Sequence, residues 1–329
     1  MTTSRTRLSA LLLVLALAAP ASAQIPDAPT LLAALGFSQS EIQQVTSGQI
    51  VTGEIKAASD RELVAAMAFS LPSPPSQIVA AMKSGQLAKT DPTMRAVGPF
   101  SSPPTAGDLA KLSLTADQVK AYQKAAPGSD LNLSAQEIST FDQLAGSNAA
   151  QVTSAVRTDL LGRLTAYQKQ GLAGIAPYAR ESGTRSCNDE IRTMTEASKA
   201  LKQYVPKAYQ MLLGYPGSKP PGTEESFRWS QLDAHGTPVI ALTHAAYVPD
   251  GSAFVIVQRM FYVSASFNCE QAIAALLPVQ NGTVVVYGNR TSTDQVEGWG
   301  GSAKRSIGSR LLEDQLQDQF QKAQSTLGK

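Results

Sequence analysis

The residues able to do chemistry are few. His235 and His244 are the only histidines, and Cys187 and Cys269 the only cysteines, in 329 residues. Neither histidine has a cysteine or a carboxylate at metal-ligand spacing, so no metal site is assigned. There is no Gly-x-Ser-x-Gly elbow to hold a nucleophilic serine, no Walker loop and no Gly-x-Gly-x-x-Gly after a strand, which removes several common enzyme and nucleotide-binding classes. No catalytic residue and no cofactor is assigned.

What remains is a set of polar side chains in apolar company. His244 shares a strand face with Ile240, Leu242, Ala246 and Val248. It either points into a lined interior or is a hydrogen-bonded core histidine, and an enzyme would use it with a carboxylate brought near by folding. Arg259 lies among Val255, Val257, Phe261 and Val263. There its guanidinium needs a carboxylate, a carbonyl or an anionic ligand, because an unpaired buried charge is costly. Tyr247, Tyr262 and Tyr287 can line a cavity with their rings and set hydroxyls at its mouth, or serve as ordinary sheet aromatics. Arg290 belongs to Asn289-Arg290-Thr291-Ser292-Thr293-Asp294, either a ligand-orienting rim or a connection tied by Asp and Thr side chains to the backbone. These six, His244, Tyr247, Arg259, Tyr262, Tyr287 and Arg290, are the candidate ligand-binding residues. Gly298 to Lys304 could cradle an anion at a helix start, with Arg305 beside it, or be a plain linker.

The elements that must position them are concentrated in the last hundred residues. Thr237 to Val248 is rich in β-branched residues and ends at Pro249-Asp250-Gly251-Ser252, a strand followed by a turn. Ser252 to Phe267 is apolar on both faces, which predicts a strand covered on both sides. Asn281-Gly282 separates Ala272 to Val279 from Thr283 to Tyr287 and predicts a tight hairpin, because both central residues of a type I′ turn need positive φ. After Gly298 the period changes. Ile307, Leu311, Leu312, Leu316, Phe320, Ala323 and Leu327 form one helical stripe that must be buried, and the sheet face is the nearest apolar partner.

Earlier, two short helices are expected between Pro26 and Gly48, the second opened by the capping box of Ser38 and Glu41. Two strands over Gln49 to Lys56 and Glu62 to Leu71, then a helix over Ser76 to Ser84, complete the segment, and Pro92 to Pro104 reads as an irregular boundary. Residues 106 to 214 read as helical. Thr115 with Gln118 and Ser134 with Glu137 are capping pairs, Asn148 to Gln170 carries an apolar stripe stopped by Gly171, Asp189 to Val205 reads as a further helix, and Pro206 starts another. The expected fold class is therefore α+β: a curved antiparallel sheet packed on a long C-terminal helix, with a mostly helical insertion. The expected division is 1–23, 24–104, the insertion 105–215, and a meander with terminal helix over 216–329.

Arg5 and Arg7 precede an apolar run from Leu8 to Ala19, and Ala21-Ser22-Ala23 is a small-x-small site, the pattern of a secretory signal peptide cleaved after Ala23. A periplasmic or secreted location is expected, with no later transmembrane span. Removing the leader takes Arg5 and Arg7 from the 28 basic residues and none of the 26 acids, so the remainder is neutral and gives no case for nucleic acid. In an oxidising compartment Cys187 and Cys269 are expected either to pair, worth about 4 kcal/mol if unstrained, or to stay as buried thiols.

The order strand, strand, helix, insertion, meander and terminal helix resembles the helix-grip fold of START-like and Bet v 1-like proteins. That resemblance implies a sheet wrapped on a helix, often around a cavity, and carries no binding residue with it. The stretches Gly98 to Pro104, Phe227-Arg228-Trp229-Ser230, Pro238 to His244, Tyr287 to Ser292 and the Gly-rich entry to the last helix also resemble an uncharacterised family of secreted bacterial proteins. Ser129 stands where that family's pattern carries Cys. Three functions follow as expectations: non-catalytic binding of an apolar or amphipathic, lipid-like small molecule; a cell-envelope interaction or structural protein with a filled core that docks a protein partner; or an enzyme without local motifs, using His244.

Overall fold

Local chemistry decides where most elements begin. The computed structural model describes residues 24–87, 91–234, 236–298 and 300–327. The expected leader, His235 and Trp299 lie outside the described residues. Helices α1 (Ala28–Ala34) and α2 (Gln39–Thr46) come first, and Ser38 and Glu41 exchange the reciprocal hydrogen bonds of a capping box at the start of α2. Strands β1 (Val51–Gly53) and β2 (Glu62–Leu71) pair antiparallel, and helix α3 (Pro75–Lys83) follows with Pro75 in its first turn.

The stretch expected to be irregular contains a strand, β3 (Met94–Pro99), bonded to a later strand at the sheet edge. Proline is tolerated at an edge because one side of the ladder needs no N–H donor. Gly98 matters here: a Cβ at that position would stand 2.5 Å from Nε1 of Trp229, so only glycine lets the edge strand lie on the indole.

The insertion is helical as its pattern predicts. Capping boxes open α4 (Ala116–Gln123), α5 (Ala135–Asp142) and the 22-residue α6 (Ala149–Gln170), which Gly171 ends with φ of 59°. A two-residue ladder joins β4 (Tyr178–Ala179) to β5 (Thr184–Arg185). The single helix expected over Asp189 to Val205 is two, α7 (Cys187–Ala197) and α8 (Lys199–Tyr204), broken at Ser198, whose hydroxyl bonds back to the Met194 carbonyl. Helix α9 (Pro206–Gly214) follows.

The meander comprises β6 (Glu224–Ala234), β7 (Thr237–Asp250), β8 (Ala253–Val263), β9 (Cys269–Val279) and β10 (Gly282–Ser292), and the chain ends in α10 (Gly301–Leu327). One eight-stranded antiparallel sheet results, in the order β1-β2-β10-β9-β8-β7-β6-β3, open at both edges. Strands on both sides of the insertion in sequence thus share a single sheet. The fold is α+β.

Alternation along each strand divides the sheet into two faces. One face carries Trp229, Leu242 and Phe261, packed on the Val156, Leu160 and Tyr167 stripe of α6. Farther along, Val255 and Val257 meet Leu212 of α9, and Val284 and Leu277 meet α1 and α2. The other face carries Phe69, Ile256, Leu276 and Val285, covered by α3 and α10. Helix α10 lies along β2. Gly308 sits against the side chain of Leu63, Ser309 accepts from the Val64 N–H at 3.1 Å, and Gln324 donates to the Ser70 carbonyl at 2.9 Å.

Candidate functional site

The helix stripe is only half seated. Leu316 is buried and Phe320 stacks on Phe69 with ring centroids 4.4 Å apart. Ile307 and Leu311, one and two turns nearer the helix start, are 62% and 54% exposed. The physical reason is the anchoring on β2: Gly308 and Ser309 hold this half of the helix against Leu63 and Val64, at one side of the sheet, and leave Ile307 and Leu311 overhanging the space beside it.

Beneath that overhang is a cavity of about 1040 Å³, between α10 and the sheet face that runs from β2 to β3. Its wall is mostly apolar, with Phe69, Ile256, Met260, Leu276 and Val285 among its residues. The large hydrophobic side chains that stand out as exposed among the described residues are Val97, Ile307 and Leu311, and all three line this cavity. Exposed apolar groups gathered on one concavity mark a surface built to be covered.

Among the polar groups of the lining, one cluster stands on the sheet wall at β9 and β10. Tyr287, Asn289 and Thr291 alternate along β10, and Glu270 of β9 stands directly opposite Thr291. Thr291 Oγ1 donates to Glu270 Oε2 at 3.2 Å, and Asn289 Nδ2 donates to the Tyr287 hydroxyl oxygen at 3.2 Å. Glu270 has no ion-pair partner among the described residues. Burial pushes its carboxyl above the ordinary glutamate value, hydrogen bonds from Thr291 and Asn289 oppose this, and the charge of Asp91 adds to the rise. Burial likewise raises the Tyr287 phenol, and Glu270 contributes.

Of the six candidate ligand-binding residues, the structure places Tyr287 in this cavity. Tyr247 is on the same sheet face but packed among Ile78, Val79 and Ile256 in the core under α3. The other four belong to the face covered by the insertion. Arg259 is buried and fully employed: its guanidinium donates to Gln271 Oε1 at 2.8 and 3.1 Å, to the Leu212 carbonyl at 2.8 Å and to the Tyr167 hydroxyl at 3.1 Å. A carbonyl and an amide thus meet the need that an arginine in a strand creates.

His244 is bonded on both ring nitrogens. Nε2 lies 3.1 Å from Glu225 Oε1 and Nδ1 lies 3.0 Å from the Tyr167 hydroxyl. A carboxylate can only accept, so the proton sits on Nε2 and the tyrosine donates to Nδ1. Burial holds the imidazole below its ordinary pKa, against the pull of Glu225. A histidine-carboxylate pair therefore exists, but the ring is buried, stacked on Phe227 and flanked by Tyr167 and Tyr215. Tyr262 lies under the Arg163 guanidinium, 4.1 Å from its ring centroid, and Arg290 pairs with buried Glu62 at 2.7 Å.

Cys187 and Cys269 are neighbours but not at disulfide distance, and stand as the buried thiols of the second expectation. Cys187 Sγ donates to the Asn268 carbonyl at 3.1 Å. With Glu190 they place three potential ligand atoms within 4.8 Å of one another. Glu190 is already engaged, however, accepting from Arg61 Nε at 3.1 Å and from the Ser292 hydroxyl. Glu270 was the residue that the pattern did not reveal. A lone acid in a strand ordinarily reads as solvent-facing, and the only signal was the run of polar residues at every second position of the neighbouring strand.

No helix among the described residues is long and apolar enough to cross a membrane. No protein-family model matches the chain, and the searches of curated proteins and of solved structures returned no match.

Proposed function

We propose that the protein binds an apolar or amphipathic, lipid-like small molecule in the cavity between the sheet and α10, without catalysing a reaction, in the periplasm or as a secreted protein. The observation that carries this reading is the gathering of Val97, Ile307 and Leu311 on one open, mostly apolar cavity of about 1040 Å³. Small-molecule sites are on the order of 300–1,000 Å³ and combine apolar walls with a few polar groups, which suits this cavity. The leader-like first 23 residues support export, and the resemblance to the helix-grip layout agrees with a site under the terminal helix.

Native mass spectrometry of the full chain purified from its own host, followed by solvent extraction, tests the reading. A hydrophobe bound at near-stoichiometric amounts, and lost in Leu311→Lys, is the expected result. A clean unliganded mass, with no shift on adding a lipid extract, would overturn it in favour of a protein whose exposed α10 stripe docks a partner.

A further inference from the structure

Within the ligand-binding reading, the cavity also specifies what its ligand carries. We infer that the occupant is an amphiphile with a basic amine, whose ammonium group is received by Glu270 while its apolar part lies under α10. Glu270 stands on the wall formed by β8, β9 and β10, opposite Met260 on one side and Thr291 on the other. The hydrogen bonds it accepts come from the uncharged side chains of Thr291 and Asn289, and it has no ion-pair partner among the described residues.

The other charges of the cavity lining reinforce the assignment. Asp91 lies close enough to act electrostatically on Glu270, so this end of the cavity carries two carboxylates. Arg95, by contrast, is paired with Asp233 at 3.2 Å, and Arg228 donates to the carbonyls of Met82 and Lys83. Lys304 reaches the cavity from the first turns of α10 and forms no ion pair with Glu270. Burial without a cation disfavours the ionised carboxyl, and an incoming ammonium would remove that penalty by forming a charge-assisted hydrogen bond. Thr291 and Asn289 fix where the carboxyl points, so the amine would meet an oriented acceptor.

Competition against the neutral dye N-phenyl-1-naphthylamine, with the full chain at pH 7, tests this with three probes of equal chain length: dodecylamine, 1-dodecanol and dodecanoic acid. The amine should displace the dye at a concentration about tenfold or more below that of the alcohol, with the acid weakest. Glu270→Gln keeps the shape and a hydrogen-bonding amide; it should erase the amine's advantage while leaving displacement by dodecanol unchanged, which also shows that the variant is folded. Equal displacement by all three probes, a preference for the acid, or an amine preference that survives Glu270→Gln would overturn the assignment while leaving the apolar site standing. If the dye binds nowhere and none of the probes shifts the native mass, the ligand-binding reading itself fails and takes this one with it.

Discussion

The two faces of the sheet are built from alternate residues of the same strands and are finished differently. On the insertion side, α6 lays a continuous stripe, Val152 through Tyr167, onto the strands, and the arginine and histidine sent inward from the strands find partners, although the Tyr122 hydroxyl in the same core does not among the described residues. Arg259, Tyr167, His244 and Glu225 form one chain of donors and acceptors. On the α10 side, a longer helix buries fully only Gly301 and Leu316 among its described residues, leaves Ile307 and Leu311 exposed, and roofs a cavity in which Glu270 has no ion-pair partner among the described residues. A buried polar group that is satisfied holds a core together; one that is left wanting, on a cavity wall, points to something that binds. The comparison explains why the arginine and histidine most conspicuous in the sequence are structural, while the acid that escaped notice is the one that lines the open cavity.

The comparison can be broken at either face. Arg259→Ala removes the donors to Gln271, Tyr167 and the Leu212 carbonyl, all deep in the core, and should lower the unfolding free energy by about 3–5 kcal/mol in a denaturant titration. A loss under about 1 kcal/mol would show that this face is not sealed.

A smaller loss should come from acidification. His244 has a folded pKa below its unfolded value, so its contribution is complete above about pH 6.5 and declines as the pH falls from there toward the folded value. Thermal melts between pH 7.5 and 5 should show this decline in the wild type and a shallower one in His244→Gln. Equal slopes would mean that the imidazole is not held neutral by its surroundings.

The least effect on stability belongs to the cavity roof. Leu311→Gln keeps helix propensity and removes a side chain that is already more than half exposed, so stability should change by no more than about 0.5 kcal/mol. A loss above about 2 kcal/mol would make Leu311 a core residue and erase the contrast between the faces.

Much of the fold was legible because it rests on local rules. The capping pairs at Ser38, Thr115 and Ser134 satisfy N–H groups within one helical turn. The hairpin expected at Asn281-Gly282 forms, but one residue earlier: its loop is Gln280-Asn281, Gly282 pairs with Val279, and Asn281 does not take the positive φ of a type I′ turn. The strand β3 was hidden by Pro99 and the prolines that flank it, since its pairing with β6 depends on residues more than a hundred positions away and on the Gly98 contact with Trp229. The candidate site was legible only at Tyr287. His244 and Arg259 were singled out correctly as polar residues in apolar strands, but which face receives them, and whether a partner or a void waits there, depends on what packs on that face.

The sequence by itself thus determined the element types, the antiparallel meander, the amphipathic terminal helix and a short inventory of chemistry, because propensity, period and turn requirements act over a few residues. Only the tertiary structure decided that α6 would close one face while α10, fastened along β2 by Gly308, Ser309 and Gln324, would stop short of the other. It alone set Glu270 across from Thr291 on a cavity wall. Cavities and unpaired charges are properties of what is missing between distant segments, and no local pattern encodes an absence.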